Sequence, residues 1–231
     1  MTAGKSSSAV ERICRAIEDA IRKGELVAGQ RLIEAELTRK LNVSRGPLRE
    51  AMRDLEAEGL IALHPNRGAS VRKLTRRDLA ESFELRGVLE GTAAARCAKR
   101  IGEVGVREQI AAFFHEAQAY LDGEQRRPFV EHDTAMHEAI LKLCENRILE
   151  EYCHRLRTPF FRLRFFTSSA VLDVKRSATE HVELLGAILD GDNMAAEQIA
   201  RAHVSRIHGV VQRMTESDFD QTFHFGRPNA S

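Results

Sequence analysis

The sequence contains no tryptophan, and aromatic residues make up only 6% of it. Charged residues are far more abundant, at 30%, and this balance is typical of a soluble, mostly helical protein. No apolar run approaches the roughly 20 residues that a membrane-spanning helix needs. The first eight residues are polar, so we expect no signal peptide and no membrane partner.

Regularly spaced cysteines are also absent. The four cysteines form no Cys-x-x-Cys pair, and each falls in a stretch with helical periodicity: Cys14, Cys97, Cys144 and Cys153. We interpret them as buried free thiols rather than as a disulfide framework. Free thiols fit a reducing compartment, so we expect the protein to be cytoplasmic.

Length and charge favour two domains. The chain has 231 residues, enough for two domains that each bury a core. Residues 1–75 contain 14 Lys and Arg against 10 Asp and Glu, whereas residues 76–231 contain 21 against 24. A basic N-terminal lobe beside an acidic remainder is what a DNA-binding module joined to a separate sensor would show.

The first 75 residues follow the pattern of a winged helix-turn-helix domain. Ser8 and Glu11 can form a capping box for the first helix. A short second helix should turn three apolar residues inward: Ile33, Leu37 and Leu41. After a tight turn, a third helix is predicted over 44–58, and two short strands over 61–63 and 69–72 would form a hairpin.

The third helix has an apolar face and a basic face. The apolar face carries the residues expected in the core: Leu48, Ala51 and Leu55. The basic face carries arginine at i, i+4 and i+8, and an arginine fork can grip guanine O6 and N7 or a phosphate. Ser44 can cap the helix and donate to a phosphate. The expected DNA contacts are Ser44, Arg45, Gly46, Arg49, Arg53, Arg67 and Gly68.

These residues resemble the GntR family of bacterial regulators. The similar stretches are 32–52, 55–61 and 65–71, and the most specific part is VSRGPLRE at 43–50. The resemblance implies that Arg45 and Arg49 read or anchor DNA, and that Gly68 of the wing enters the minor groove. Many members carry a basic residue early in the second helix, where this chain has Ala35; that contact is not expected here.

From Thr75 onward the pattern is helical throughout. Thr75 and Asp78 can cap a long helix that ends near Arg100. Further helices are predicted at 105–122, 127–144, 147–164, 175–190 and 194–215. We therefore assign 76–231 to an all-helical second domain, with a core over 78–215 and a loosely ordered tail after it. The predicted fold is mainly α, a winged helix-turn-helix followed by an all-α bundle.

Four hydrophilic residues fall on inward stripes of these helices: Asp133, His137, His181 and His203. Burying a carboxylate or an imidazole is costly without a partner. A divalent cation would satisfy all four groups at once, as a site of three histidines and one carboxylate. The alternatives are histidines bonded to backbone carbonyls in the core, and a simple pair of Asp133 with His137.

Three segments of the second domain resemble the FCD-type sensor domain, which is named after the C-terminal domain of FadR: 83–90, 132–140 and 180–192. This resemblance, over about 78–208, implies that the four residues bind a metal, often zinc or nickel, which helps hold a small organic acid. It also implies that Arg86 and Asn146 face the effector, although Arg86 could equally be a surface residue. Cys144 and Glu145 replace the small residues usual beside Asn146.

Together these features predict a homodimeric transcription regulator of double-stranded operator DNA, a repressor rather than an activator, controlled by a small carboxylate. Two other functions remain open. A helical mononuclear metalloenzyme with an accessory nucleic-acid-binding domain is the main one; a di-iron bundle would need two Glu-x-x-His pairs, and the chain has one, Glu151 with His154. A nucleoid-type structural DNA binder would leave the second domain without a role.

Overall fold

The computed structural model describes residues 8–65, 67–123, 126–156 and 173–224. The chain divides into two compact units. Among the described residues, the first unit contains 8–74 and 215–224, and the second contains 75–156 and 173–214. Within the described residues, no helix is both long enough and apolar enough to cross a membrane.

The first unit is a three-helix domain with a small sheet. Its elements are α1 (Ala9–Arg22), β1 (Arg31–Leu32), α2 (Glu34–Leu41), α3 (Arg45–Ala57), β2 (Ile61–His64) and β3 (Gly68–Val71). The predicted capping box of α1 is present, with Ser8 and Glu11 bonded reciprocally. The hairpin of β2 and β3 is also present, and Ile61 pairs with Val71 in antiparallel register.

Two details of the first unit differ from the sequence prediction. Strand β1 joins the hairpin to give the order β1-β3-β2, and two residues are too short to show the alternation that identifies a strand. Ile33 is 45% exposed rather than turned inward. It is the N-cap of α2 and has extended backbone angles, so its side chain does not continue the stripe that buries Leu37.

The second unit is helical. Its elements are α4 (Arg76–Lys99), α5 (Val106–Gln118), α6 (Arg126–Leu143), α7 (Arg147–Leu156), α8 (Val174–Leu189) and α9 (Asn193–Gln212). The capping box of Thr75 and Asp78 begins α4 as predicted. The described residues from 75 to 156 and from 173 to 214 contain no strand. The part of the predicted 147–164 helix beyond 156 lies outside the described residues.

Helices α4 and α9 form the most extensive contact of the second unit. They approach closely at Gly91, where an added Cβ would lie 2.7 Å from Cγ of Arg201 and 3.2 Å from the carbonyl oxygen of Glu197. Arg76 ties the start of α4 to the end of α9, because its guanidinium donates to the carbonyls of Val211 and Met214 at 3.0 and 2.8 Å. This packing determines which side chains of α4 and α9 point into the interior of the second unit.

The segment after Thr215 differs from the loose tail that the sequence suggested. It forms a short helix α10 (Glu216–Phe219) and a π-helical turn (Asp220–His224). Phe219 and Phe223 are 2% and 1% exposed, and their ring centroids lie 4.8 Å apart. Two phenylalanines four residues apart give a short helix an apolar face, so this segment is ordered and groups with the first unit. Residues 225–231 lie outside the described part.

Candidate metal centre and DNA-binding surface

Three helices of the second unit bring the four predicted metal ligands together. Asp133 and His137 lie one turn apart on α6, His181 lies on α8 and His203 lies on α9. One ligand atom from each residue lies within 4.8 Å of those of the other three. Asp133, His181 and His203 are buried, and His137 is half-buried. Helical spacing on three helices therefore produced one compact set of donors.

The charge states within this cluster suit a cation. Asp133 Oδ1 lies 3.4 Å from His181 Nε2 and 3.8 Å from His137 Nε2. Burial by itself would raise the pKa of Asp133, but the close contact with His181 and the neighbouring histidines hold that pKa below its usual range. Burial lowers the pKa of His181, against the opposing effect of Asp133. Ionised carboxylates and neutral imidazoles are the forms that bind metals.

Two further carboxylates contact the outer nitrogens of two of the histidines. Glu180 Oε2 lies 2.7 Å from His203 Nδ1, and Glu90 Oε2 lies 3.4 Å from His137 Nδ1. Each carboxylate partner fixes which ring nitrogen carries the proton, and it leaves Nε2 for the cluster. The sequence analysis missed both acids, although Glu90 is 5% exposed on a stripe with apolar neighbours.

Each of these outer carboxylates is held by an arginine. Arg206 Nε lies 2.5 Å from Glu180 Oε1, and Arg86 Nε donates to Glu90 Oε1 at 3.0 Å. Burial would raise the pKa of Glu180, but His203 and Arg206 lower that pKa to about 2. Each carboxylate is therefore paired with an arginine, which offsets part of the cost of removing it from solvent.

His181 is the histidine without such an outer partner. It is completely buried, and neither of its ring nitrogens meets hydrogen-bond criteria with a partner in the described part of the chain. Its ring stacks on Phe129, with centroids 5.4 Å apart. Buried imidazole nitrogens are seldom left unsatisfied, so this ring has the bonding capacity that a metal ion would use.

The two residues expected at the effector have defined contacts. Besides its bond to Glu90, the Arg86 guanidinium lies 5.0 Å from the ring centroid of Phe83, and its side chain is only 12% exposed. Asn146 caps α7, since its Oδ1 accepts from the backbone N–H of Leu149 at 3.1 Å. The structure thus brings Arg86 to the border of the metal cluster and gives Asn146 a capping role; their contact with an effector stays a prediction.

The recognition helix α3 has the division of faces that the sequence predicts. Its core residues are almost completely buried: Leu48, Ala51 and Leu55. The three arginines are exposed: Arg45, Arg49 and Arg53. Ser44 occupies the N-cap position, but its side chain makes no capping hydrogen bond, contrary to expectation.

The remaining expected DNA contacts also lie on the surface of the first unit. Gly46 is exposed in the first turn of α3, and no atom lies within 4 Å of the position of a Cβ. Arg67 and Gly68 are exposed at the end of the hairpin. Gly68 has a φ of +83°, a left-handed conformation that favours glycine. The backbone at the wing tip therefore favours glycine at this position.

Comparison with protein families identifies both units. Residues 9–71 match the model described as bacterial regulatory proteins of the gntR family, and residues 81–206 match the FCD domain. A relative with 29% identity over 185 residues, covering 80% of each chain, is a probable D-xylose utilization operon transcriptional repressor of Paenarthrobacter nicotinovorans. The HTH-type transcriptional repressor RspR of Escherichia coli K12 is 25% identical over 195 residues, covering 84% of this chain and 85% of its own.

Solved structures show the same fold. A GntR regulator from Rhodococcus sp. RHA1 superposes with a TM-score of 0.64 at 24% identity, covering 90% of this chain and all of the other. E. coli McbR/YncC gives a TM-score of 0.65 at 18% identity, covering 90% of this chain and 99% of its own. The families and the named relatives are transcription regulators rather than enzymes. The chain therefore belongs to the GntR family of bacterial transcription regulators, and its C-terminal region is an FCD domain.

Proposed function

We propose that this regulator is a homodimeric repressor whose affinity for operator DNA is controlled by a small carboxylate bound at a divalent metal in the FCD domain. The observation that carries the proposal is the convergence of four ligand atoms within 4.8 Å of one another. Two relatives that are named repressors support repression of transcription rather than activation. A regulator that binds operator DNA would work in the cytoplasm.

The donor set fits zinc or nickel. Three imidazoles and one carboxylate suit either ion, whereas magnesium and calcium prefer oxygen ligands. The ligands would be Asp133, His137, His181 and His203. The unsatisfied nitrogens of His181 support this assignment, because a fully buried imidazole with no hydrogen bond in the described part of the chain would be costly without an ion.

The bound metal would supply a fixed positive charge and an open coordination position for a carboxylate oxygen of the effector. The protein's own residues prepare that position. Glu90 and Glu180 hold the rings of His137 and His203 with Nε2 directed to the cluster, and Asp133 balances part of the charge. Arg86, on the border of the cluster, would bind the other end of a small organic acid.

The dimer is supported by an apolar surface on α4 and α7. The two helices run antiparallel: Ser82 Oγ donates to the carbonyl of Leu156, and Arg96 Nε donates to that of Cys144, just before α7. Large apolar side chains on both are 43–60% exposed: Leu85, Val88, Ile148 and Tyr152. Such a surface marks an interface, and a second copy would bury it with two-fold symmetry.

Elemental analysis of untagged protein, purified without chelator, tests the metal. We expect about one equivalent of zinc or nickel per chain, bound by the four ligands. A metal content below about one tenth of an equivalent, together with no thermal stabilisation by added zinc, nickel or manganese, would overturn the site.

Native mass spectrometry of the same sample measures the oligomeric state. We expect a dimer for the wild type, and Leu85→Asp should shift the protein towards monomer.

DNA binding is tested separately. A preferred duplex is first selected from a random library with wild-type protein. We expect the affinity for this duplex to fall steeply with salt, because Lys and Arg displace counterions from phosphates. An affinity that does not change between low and physiological salt would contradict the assigned basic surface. Candidate acids are then added to the complex with and without chelator, and only the metal-loaded protein should release DNA.

A further inference from the structure

The exposed arginine stripe of α3 contains one residue with an ion-pair partner on another helix. Arg49 Nε lies 3.2 Å from Oε1 and 3.1 Å from Oε2 of Glu34, the first residue of α2. The other two arginines of the stripe, Arg45 and Arg53, make no side-chain ion pair in the part of the chain that the structure describes. The contact therefore singles out the central arginine.

The position of this pair distinguishes it from the other surface ion pairs. Arg77 with Glu81 and Arg201 with Glu197 are spaced i, i+4 on a single helix. Lys40 with Glu25 is also a long-range pair, but Arg49 with Glu34 joins the two helices of the helix-turn-helix and includes an arginine of the stripe. Exposed pairs contribute little to folding. A carboxylate beside a DNA-facing helix also repels phosphates, so stability and affinity by themselves do not account for its position.

The atoms involved show what the contact does. Glu34 binds Arg49 at Nε, which leaves the two terminal nitrogens, Nη1 and Nη2, as a pair of parallel donors. Guanine presents O6 and N7 in the major groove as the matching pair of acceptors. The Arg49 side chain is 60% exposed, so it remains accessible to a DNA base despite its contact with Glu34.

We propose that Glu34 is a specificity-determining residue, which fixes the guanidinium of Arg49 so that its terminal nitrogens read one guanine in each half-site. This inference rests on the proposed contact between Arg49 and DNA. An arginine side chain loses rotational freedom when it binds a base. Because Glu34 restricts Arg49 before DNA is bound, this entropy cost is reduced, but only for a base that fits the fixed orientation. Glu34 acts through Arg49 and needs no contact with DNA.

The test compares base preferences of the full-length protein on a random-sequence duplex library. Arg49→Ala first identifies the guanine position that depends on Arg49. Glu34→Gln, which has the same size but no charge, should relax the preference at that same position by about threefold to tenfold. The other positions should be unchanged, and affinity for a scrambled duplex should be equal or tighter, because one negative charge is removed.

Two controls make the result decisive. Glu36→Gln removes an exposed negative charge from the same helix and should leave every preference unchanged. In the Arg49→Ala background, Glu34→Gln should have no further effect on specificity. If Arg49→Ala alters no position, the proposed DNA contact of Arg49 is wrong. If Arg49→Ala abolishes one preference but Glu34→Gln behaves like Glu36→Gln, the inference about Glu34 is wrong and the DNA contact stands.

Discussion

The three histidines of the candidate metal site fall into two kinds that should respond differently to mutation. His137 and His203 each have a carboxylate at Nδ1, so their orientation is set by an ion pair as well as by the cluster. His181 is oriented by its stacking on Phe129 and by its contact with Asp133. Loss of His181 therefore removes a proposed ligand and leaves Asp133 buried without its nearest partner.

We expect His181→Ala to lower metal content and thermal stability together. Changes to a residue that supports a ligand, such as Glu180→Gln, typically lower metal affinity by roughly 10–100-fold. Loss of a ligand itself should lower metal affinity by more than that. Calorimetry measures both effects: a metal titration gives the metal binding, and a heating scan gives the thermal stability. DNA binding should be affected less, because the winged domain has its own core.

His208→Ala provides the matched control for His181→Ala. His208 lies on α9 outside the cluster, stacks on Phe83 with centroids 5.2 Å apart, and has a buried Nε2 without a hydrogen bond in the described residues. Its loss should reduce stability but not metal content. If both variants retain one equivalent of metal, His181 is not a ligand.

Cys97 should be unreactive in the native protein at neutral and mildly alkaline pH. Burial raises the pKa of its thiol to about 12, and the side chain is completely buried. Because this pKa is raised, the thiol stays protonated at pH 8, and only the thiolate attacks iodoacetamide. Mass spectrometry should find Cys97 unlabelled in native protein and labelled in urea; equal labelling rates in the two conditions would contradict its burial.

The residues of the metal cluster could be predicted from sequence, but their supporting residues could not. Asp133, His137, His181 and His203 interrupt apolar stripes, and a polar group on such a stripe is visible in the helical periodicity. Glu90 and Glu180 support histidines on other helices. Their contacts depend on how α4 packs against α6 and how α8 packs against α9, which the period of a single helix does not specify.

At the scale of elements, the turn between α2 and α3 depends on the backbone conformation of Asn42. This residue is the C-cap of α2, with φ of 51° and ψ of 53° in the left-handed region. Asparagine tolerates this region better than residues with other side chains. The turn sets the angle at which α3 leaves α2, so its conformation matters for the recognition helix.

We expect Asn42→Ala to destabilise the first unit by about 1 kcal/mol, since a left-handed conformation costs about 1–2 kcal/mol for an ordinary L-residue. Asn42→Gly should be nearly neutral, because glycine adopts this region freely. Urea unfolding of both variants measures the difference. Equal destabilisation by alanine and glycine would show that the Asn42 side chain, rather than its backbone, stabilises the turn.

Elements with local signals were predicted well. The capping boxes at Ser8 and Thr75 begin α1 and α4 as expected, because both partners of such a box lie within four residues of sequence. Strand β1 has no comparable local signal: its two residues are strand only because they pair with Ser70 and Ala69 of β3. Pairing between distant segments is a tertiary property that overrides local pattern.

At the scale of the whole molecule, the described residues 75–156 and 173–214 belong to the unit that contains the FCD domain. The residues that follow, 215–224, belong to the unit that contains the recognition helix. The helix that leads to them, α9, carries His203 and Arg206. The C-terminal segment is therefore grouped with the first unit and follows directly on the helix that carries His203.

This arrangement predicts that a substitution near the C-terminus destabilises the N-terminal unit. Phe223 is 1% exposed, and replacing a buried phenylalanine by alanine costs about 3–5 kcal/mol. With Phe223→Ala we expect faster amide hydrogen exchange in peptides from 8–74 and weaker DNA binding, while peptides from 126–143 and the metal content stay unchanged. Phe223→Leu, which keeps most of the apolar volume, should show a smaller effect of the same kind. Faster exchange in 126–143 with 8–74 unaffected would instead assign the C-terminal segment to the FCD unit.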